Sequence, residues 1–165
     1  MIAALRVDER LIHGQVSMSW SKALRLNGIV VANDKAAADD MQKMMLKMAA
    51  PSDIKTIVLS VDNAAELLND ARSKDMRLLV ITTTVKDALT VADHINEKPD
   101  QVIIGNAGKM NAEGDEITLT KEVRLSPAEI ENLRKLVDEF PDTYFQGTPN
   151  MEKHTGKEIL KKIKE

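Results

Sequence analysis

Two rhythms of apolar residues alternate along the chain. Short, mostly apolar runs occupy residues 2–7, 29–32, 54–60, 76–81 and 101–104 and predict strands, of which 29–32, a continuous and largely β-branched run, has the pattern of one buried on both faces. Between them, apolar residues recur at helical spacing over residues 15–26 (Val16, Met18, Trp20, Ala23, Leu24), 34–48, 64–73 and 86–96. Asn27-Gly28 is expected to stop the first helix, with the glycine as a left-handed cap. Asn33-Asp34 caps the next, in which Met41, Met44, Met45 and Met48 share a stripe expected to pack in the core before Pro51 ends the helix. Asp62 is expected to cap the helix over 64–73. Beyond residue 110 the pattern changes to a turn at 111–115, a short strand at 116–120 and another at 123–125. Ser126-Pro127-Ala128-Glu129 then starts a helix reaching Phe140, with serine as cap, proline first and glutamate third. A last strand over 142–146 and a lysine-rich helix over 151–165 complete the chain.

Strand–helix alternation of this kind implies right-handed crossovers and a mainly parallel sheet. The expected fold is α/β: a single three-layer domain over residues 1–165, doubly wound, with helices on both faces and extra short strands after residue 110. Ligands of such sheets sit outside the carboxyl ends of the strands. The loops at 8–13, Asn33-Asp34, Ser60, 82–84 and 105–108 therefore converge on one edge.

Composition narrows the function classes. The 165 residues are 43% hydrophobic and 30% charged with a formal net charge of −3, so no positive field draws the chain onto nucleic acid. Aromatic residues make up only 2%, which argues against base-stacking platforms. The absence of cysteine excludes disulfides and thiolate zinc sites, and nothing else has metal-ligand spacing. No signal-peptide core opens the chain, and no apolar run approaches the ~20 residues of a membrane span. Gly105-Asn106-Ala107-Gly108-Lys109 follows a strand but matches neither dinucleotide nor Walker patterns, so no cofactor is expected.

The densest chemistry lies in Arg6-Val7-Asp8-Glu9-Arg10-Leu11-Ile12-His13-Gly14-Gln15-Val16. His13 stands at the start of the first helix, where free N–H groups and the helix dipole favour an anion. Arg10 can fork onto phosphate oxygens, Gly14 permits close backbone approach, and Gln15 adds a neutral donor. Asp8 can orient either Arg10 or the imidazole. Arg6 is a weaker second cation if its side chain leaves the sheet toward the loop. A neutral imidazole so placed is a competent nucleophile for phosphoryl transfer. Leu11 and Ile12 serve either as a contact surface for partners or as loop anchors. His94, within a helix, and His154, at the start of the last one, read as solvated, and Asp39-Asp40 as a helix-surface pair.

This block, with Trp20, Val31-Ala32-Asn33-Asp34, Lys47-Met48-Ala49-Ala50-Pro51 and Gly105-Asn106-Ala107-Gly108, resembles the IIB component of the mannose/fructose/sorbose family of the bacterial sugar phosphotransferase system (PTS). The family often has aspartate where Glu9 stands. The resemblance implies a protein-Npi-phosphohistidine–sugar phosphotransferase in which His13 is the phosphohistidine intermediate and Arg10 and Asp8 flank it. His13 would receive its phosphoryl group from a phosphohistidine of a separate IIA partner and pass it to a sugar entering through the membrane components IIC and IID. Family members are cytoplasmic, act at the inner face of the membrane, and in several cases form dimers, which leaves a homodimer open here. A regulatory or partner-binding module of the same fold without turnover is the alternative reading.

Overall fold

Every residue of Ile2–Val7 is buried, and that strand, β1, lies inside the sheet with a parallel neighbour on each side. The computed structural model describes residues 1–110 and 112–163. From β1 the chain runs through α1 (Gly14–Leu24), β2 (Gly28–Ala32), α2 (Asp34–Ala37), α3 (Asp40–Ala49), β3 (Lys55–Leu59), α4 (Val61–Leu68) and a 3-10 turn at Ala71–Ser73. Next come β4 (Leu78–Thr82), α5 (Val85–His94), β5 (Val102–Ile104), β6 (Ile117–Thr118), β7 (Arg124–Leu125), α6 (Pro127–Glu139), β8 (Tyr144–Phe145), β9 (His154–Thr155) and α7 (Gly156–Lys161).

The main sheet has the order β3-β2-β4-β1-β5-β8-β9, parallel except for the last pair. Trp20 and Leu24 of α1, Ala36 of α2 and Leu46 of α3 pack with Ile29, Val31, Leu79, Ile81 and Ile103 on one face. Residues of α4 to α7 pack with Leu5, Val7, Val30, Val80 and Ile104 on the other. The expected three-layer, doubly wound arrangement is thus present. So is an extra antiparallel pair, β6–β7. The order also locates a crevice. β1 leads into α1 on one face, whereas its neighbours β4 and β5 lead toward α5 and α6 on the other. Loops that part in opposite directions leave room at the carboxyl end of β1.

Several local expectations change. Helix α1 ends at Leu24 because Arg25, not Gly28, takes the left-handed conformation (φ 54°), its N–H bonding to Lys22 and Ser21. Gly28 instead opens β2, where a Cβ would stand 2.6 Å from Leu78 Cδ2. The helix expected over 34–48 is two helices, capped separately by Asn33 and by Asp39, so Asp39 is a cap rather than half of a surface pair. Ser60, not Asp62, caps α4 through Asn63 N, and Asp70 caps the 3-10 turn that follows.

The methionine stripe of α3 is not core: Met41, Met44, Met45 and Met48 are 61–77% exposed, and Leu46 is the residue buried. Ser126 caps α6 as expected, but the Glu129 carboxylate reaches across to accept from Val85 and Lys86 at the start of α5. His154 belongs to β9, which precedes a shorter C-terminal helix than expected. Asn111 of the expected 111–115 turn, and residues 164 and 165 of that helix, lie outside the described residues.

Candidate functional site

The carboxyl end of β1 is fixed from both sides before the loop begins. Asp8 N donates to Thr82 O at 2.8 Å, Glu9 N to Asn106 O at 2.9 Å, and Gly105 N to Val7 O at 2.7 Å. The Glu9 carboxylate then accepts from Lys109 N and Met110 N, both at 3.0 Å, which ties this loop to the one after β5. Nearby loops of the same edge are cross-linked too, by Asn33 Nδ2 to Thr83 Oγ1 and by Val61 N to Asp34 Oδ1.

After Asp8 the chain reverses tightly. Leu11 N donates to Asp8 O at 3.0 Å, and Leu11 itself lies at φ 60°. A branched side chain in that region costs on the order of 1–2 kcal/mol. Burial of Leu11 and Ile12, which pack with Trp20 and Leu24 of α1 and Ile81 of β4, offsets the cost. Of their two readings, these residues are loop anchors. The turn delivers His13 as the N-cap of α1, its N–H donating to Ser17 Oγ at 3.1 Å.

Asp8 is saturated by arginines. Oδ1 accepts from Arg10 N and Arg10 Nε, both at 3.1 Å; Oδ2 accepts from Arg10 Nη2 at 3.0 Å and Arg6 Nη2 at 3.1 Å. Asp8 therefore orients Arg10 and makes no hydrogen bond to His13. Burial alone would raise the Asp8 carboxyl, but the hydrogen bond of Arg10 and the charges of Arg6 and Arg10 outweigh it, and Asp8 sits below its ordinary value.

Arg6 does reach toward the loop, where it meets Asp8, but it stays beneath the surface. It is 2% exposed, and its other bonds go to Gln146 O at 2.9 Å (Nη1) and Gly147 O at 2.8 Å (Nη2). Its guanidinium lies 5.0 Å from the centroid of the Trp20 ring, and Trp20 Nε1 donates to the same Gly147 carbonyl at 3.0 Å. Burial pulls the Arg6 guanidinium below its ordinary value, against the opposing charge of Asp8. Arg10, by contrast, has a side chain 35% exposed, and its Nη1 makes no hydrogen bond among the described residues.

The imidazole of His13 is half-buried, and its two nitrogens differ. Nε2 is shut off from solvent and has no hydrogen-bond partner, which leaves Nδ1 as the nitrogen facing outward. Burial, followed by the charge of Arg10, lowers the His13 pKa from its ordinary 6.5, which favours the neutral ring. Beside it, Gly14 at φ 38° and Gln15 are exposed at the start of α1. The site thus combines a neutral nucleophile, a guanidinium with a free fork position, and a helix N-terminus. That set suits a transferable anionic group.

The two other histidines lie apart from this site. His94 Nδ1 lies 2.7 Å from Thr90 O on its own helix, and His154 lies 3.8 Å from Glu152 on the surface. The 105–108 loop is tied to the segment before α6: Ala107 N donates to Glu122 O and Arg124 N to Ala107 O, and a Cβ on Gly108 would collide with the Arg124 carbonyl. No cluster of three or more His, Asp or Glu side chains that could hold a metal occurs among the described residues. Gly105, expected at this edge, supplies space for the Arg6 side chain, and two contributors were not anticipated, Gln146 and Gly147. The lone tryptophan in a helix was their only signal, since a buried indole N–H needs an acceptor.

Comparison with known proteins is consistent along the chain. The sequence profile of the family described as "PTS system sorbose subfamily IIB component" matches residues 2–165. A probable phosphotransferase enzyme IIB component of Streptococcus pyogenes serotype M6 is 37% identical over 139 residues, covering 83% of this chain and 85% of that protein. The PTS sorbose-specific EIIB component of Klebsiella pneumoniae is 32% identical over 135 residues, covering 82% and 80%. Among solved structures, the IIBSor domain of the Klebsiella pneumoniae sorbose permease superposes with a TM-score of 0.89 at 25% identity, covering 99% and 98% of the two chains. A PTS-dependent N-acetyl-galactosamine-IIB component from Streptococcus pyogenes gives 0.83 at 27% identity, covering 98% and 97%.

Proposed function

From the premise that this chain belongs to the sorbose-subfamily IIB components of the sugar phosphotransferase system, and is a phosphocarrier in sugar phosphotransfer, we propose that His13 carries the phosphoryl group on Nδ1. The observation that carries this reading is the asymmetry of the ring: Nε2 is sealed within the protein without a partner, which leaves Nδ1 as the open nitrogen of the residue that caps α1. Residues 1–165 act as one IIB domain.

The donor is a phosphohistidine on a IIA component. As the Nδ1–P bond of His13 forms, the N–P bond of the donor breaks, and its ring leaves with the bonding pair. Each imidazole keeps the proton on its other nitrogen, so only the phosphoryl group moves. Arg10 Nη1, the exposed Gln15 side chain and the helix start supply charge stabilisation for the phosphoryl oxygens. Gly14 keeps a side chain out of their path. In the second step a sugar hydroxyl, presented by the membrane components IIC and IID, forms the O–P bond as the Nδ1–P bond breaks, and the hydroxyl proton passes by way of the freed nitrogen to solvent, which restores the neutral ring. The balanced outcome is protein-Npi-phosphohistidine–sugar phosphotransfer at the inner face of the membrane. Among the described residues no helix is long and apolar enough to cross a membrane.

Phosphoenolpyruvate, the general transfer proteins and a cognate IIA component provide the test. The parent chain should take up one acid-labile phosphoryl group and His13→Ala none. Equal uptake by His13→Ala would refute the assignment.

A further inference from the structure

We infer that Arg6 is a positioning residue for this transfer, setting from beneath the site the pose of the Arg10 guanidinium through Asp8, in a space that exists because residue 105 is glycine. The inference rests on His13 as the carrier. Four observations support it.

First, Arg6 cannot act on the phosphoryl group itself. It is buried, and both terminal nitrogens are engaged, with Gln146 O, Gly147 O and Asp8 Oδ2. Second, Asp8 has one role per oxygen. Oδ1 takes the Arg10 backbone and Nε, and Oδ2 is shared between Arg6 Nη2 and Arg10 Nη2. Fixing Oδ2 from below therefore fixes the plane in which Arg10 lies, and with it the direction of the free Nη1. A guanidinium locked in this way loses little freedom when it meets the phosphoryl oxygens.

Third, the charges have a consequence. Arg6, Asp8 and Arg10 together carry one net positive charge, whereas Asp8 and Arg10 alone would cancel. Fourth, the space is made for this side chain. A Cβ at residue 105 would lie 2.8 Å from both Arg6 Cζ and Asp8 Oδ2, and closer still to Arg6 Nη2. Gly105 does not occupy the left-handed region, so its backbone is open to alanine and only the side-chain space forbids one. Trp20 and the Gly147 carbonyl complete the clamp on the far side, joining the segment after β8 to the back of the site.

The test compares Gly105→Ala and Arg6→Lys, each alone and combined with Arg10→Ala, for the rate of phosphoryl uptake from phosphorylated IIA. Gly105→Ala keeps every charge and displaces the guanidinium. Arg6→Lys keeps the charge and loses the fork. Each single variant should lower kcat about tenfold while changing KM for the donor less than about twofold, because the reactive geometry shifts and the outer surface does not. On the Arg10→Ala background the same changes should cost less than about twofold, since residues that act through one group are not additive. The fluorescence of Trp20, the single tryptophan, reports whether the clamp has moved. Full additivity with Arg10→Ala overturns the inference, as does an unchanged rate in a variant whose Trp20 emission has shifted. If Arg6→Lys does not fold, Gly105→Ala decides alone. His13→Ala, run alongside, separates the two claims: label on that variant defeats the carrier assignment, whereas additivity with His13→Ala inert defeats only the role of Arg6.

Discussion

Asp8 accepts four hydrogen bonds from two arginines, and that saturation sets the chemistry of its neighbours. The imidazole of His13 stays neutral chiefly through burial and then through Arg10, with Asp8 opposing and Arg6 adding a smaller push in the same direction. Because the pKa of the folded protein lies below 6.5, the acid limb of the phosphorylation rate against pH should also lie below 6.5. Arg10→Ala should move that limb upward as well as slow the reaction, and an NMR titration of the His13 ring checks the direction. Stability follows a second sign. The depressed Asp8 carboxyl contributes fully above its unfolded-state value of about 4 and loses its contribution as pH falls through the folded value. Asp8→Asn should therefore be less stable than the parent at pH 7 and lose less on acidification, as denaturant midpoints at both pH values would show. The pairing of Asp8 with Arg10 was legible in the sequence. The burial of Arg6 was not, because side chains alternate across a strand, and one that points inward with the core finds its acceptors 140 residues away.

At the scale of elements, periodicity identified helices more surely than it identified their buried sides. Met41, Met44, Met45 and Met48 have the spacing of a core stripe, yet α3 turns Leu46 inward and leaves them to solvent. One leucine among four methionines carries little periodic signal, and the separate cap at Asp39 starts α3 as a helix of its own. Met44→Gln should thus change stability by less than about 0.5 kcal/mol, whereas Leu46→Ala should cost about 2–4 kcal/mol. Comparable losses from both would return the stripe to the core. The cap of α1 has a parallel lesson. Gly28 was the natural left-handed residue, but contact with Leu78 claims the glycine for packing, and Arg25 takes the strained position instead.

At the scale of the whole molecule, the alternation of strand and helix was enough to bring the loops to one edge and His13 to a helix start. The strand order then adds the reason this edge matters at β1, where α1 departs to one face and the connections of β4 and β5 to the other. What remained illegible was the support from the far end of the chain. β8 and β9 are two-residue strands, too short to show a period, and the Gly147 carbonyl leaves no mark in a side-chain pattern. The central claim is that His13 presents Nδ1 and not Nε2 to both partners. Imidazole 15N and 31P spectra of the phosphorylated chain test it most directly. The phosphorus should couple to Nδ1 of His13, with Nε2 retaining its proton; coupling to Nε2, or to a nitrogen of His94 or His154, would contradict it.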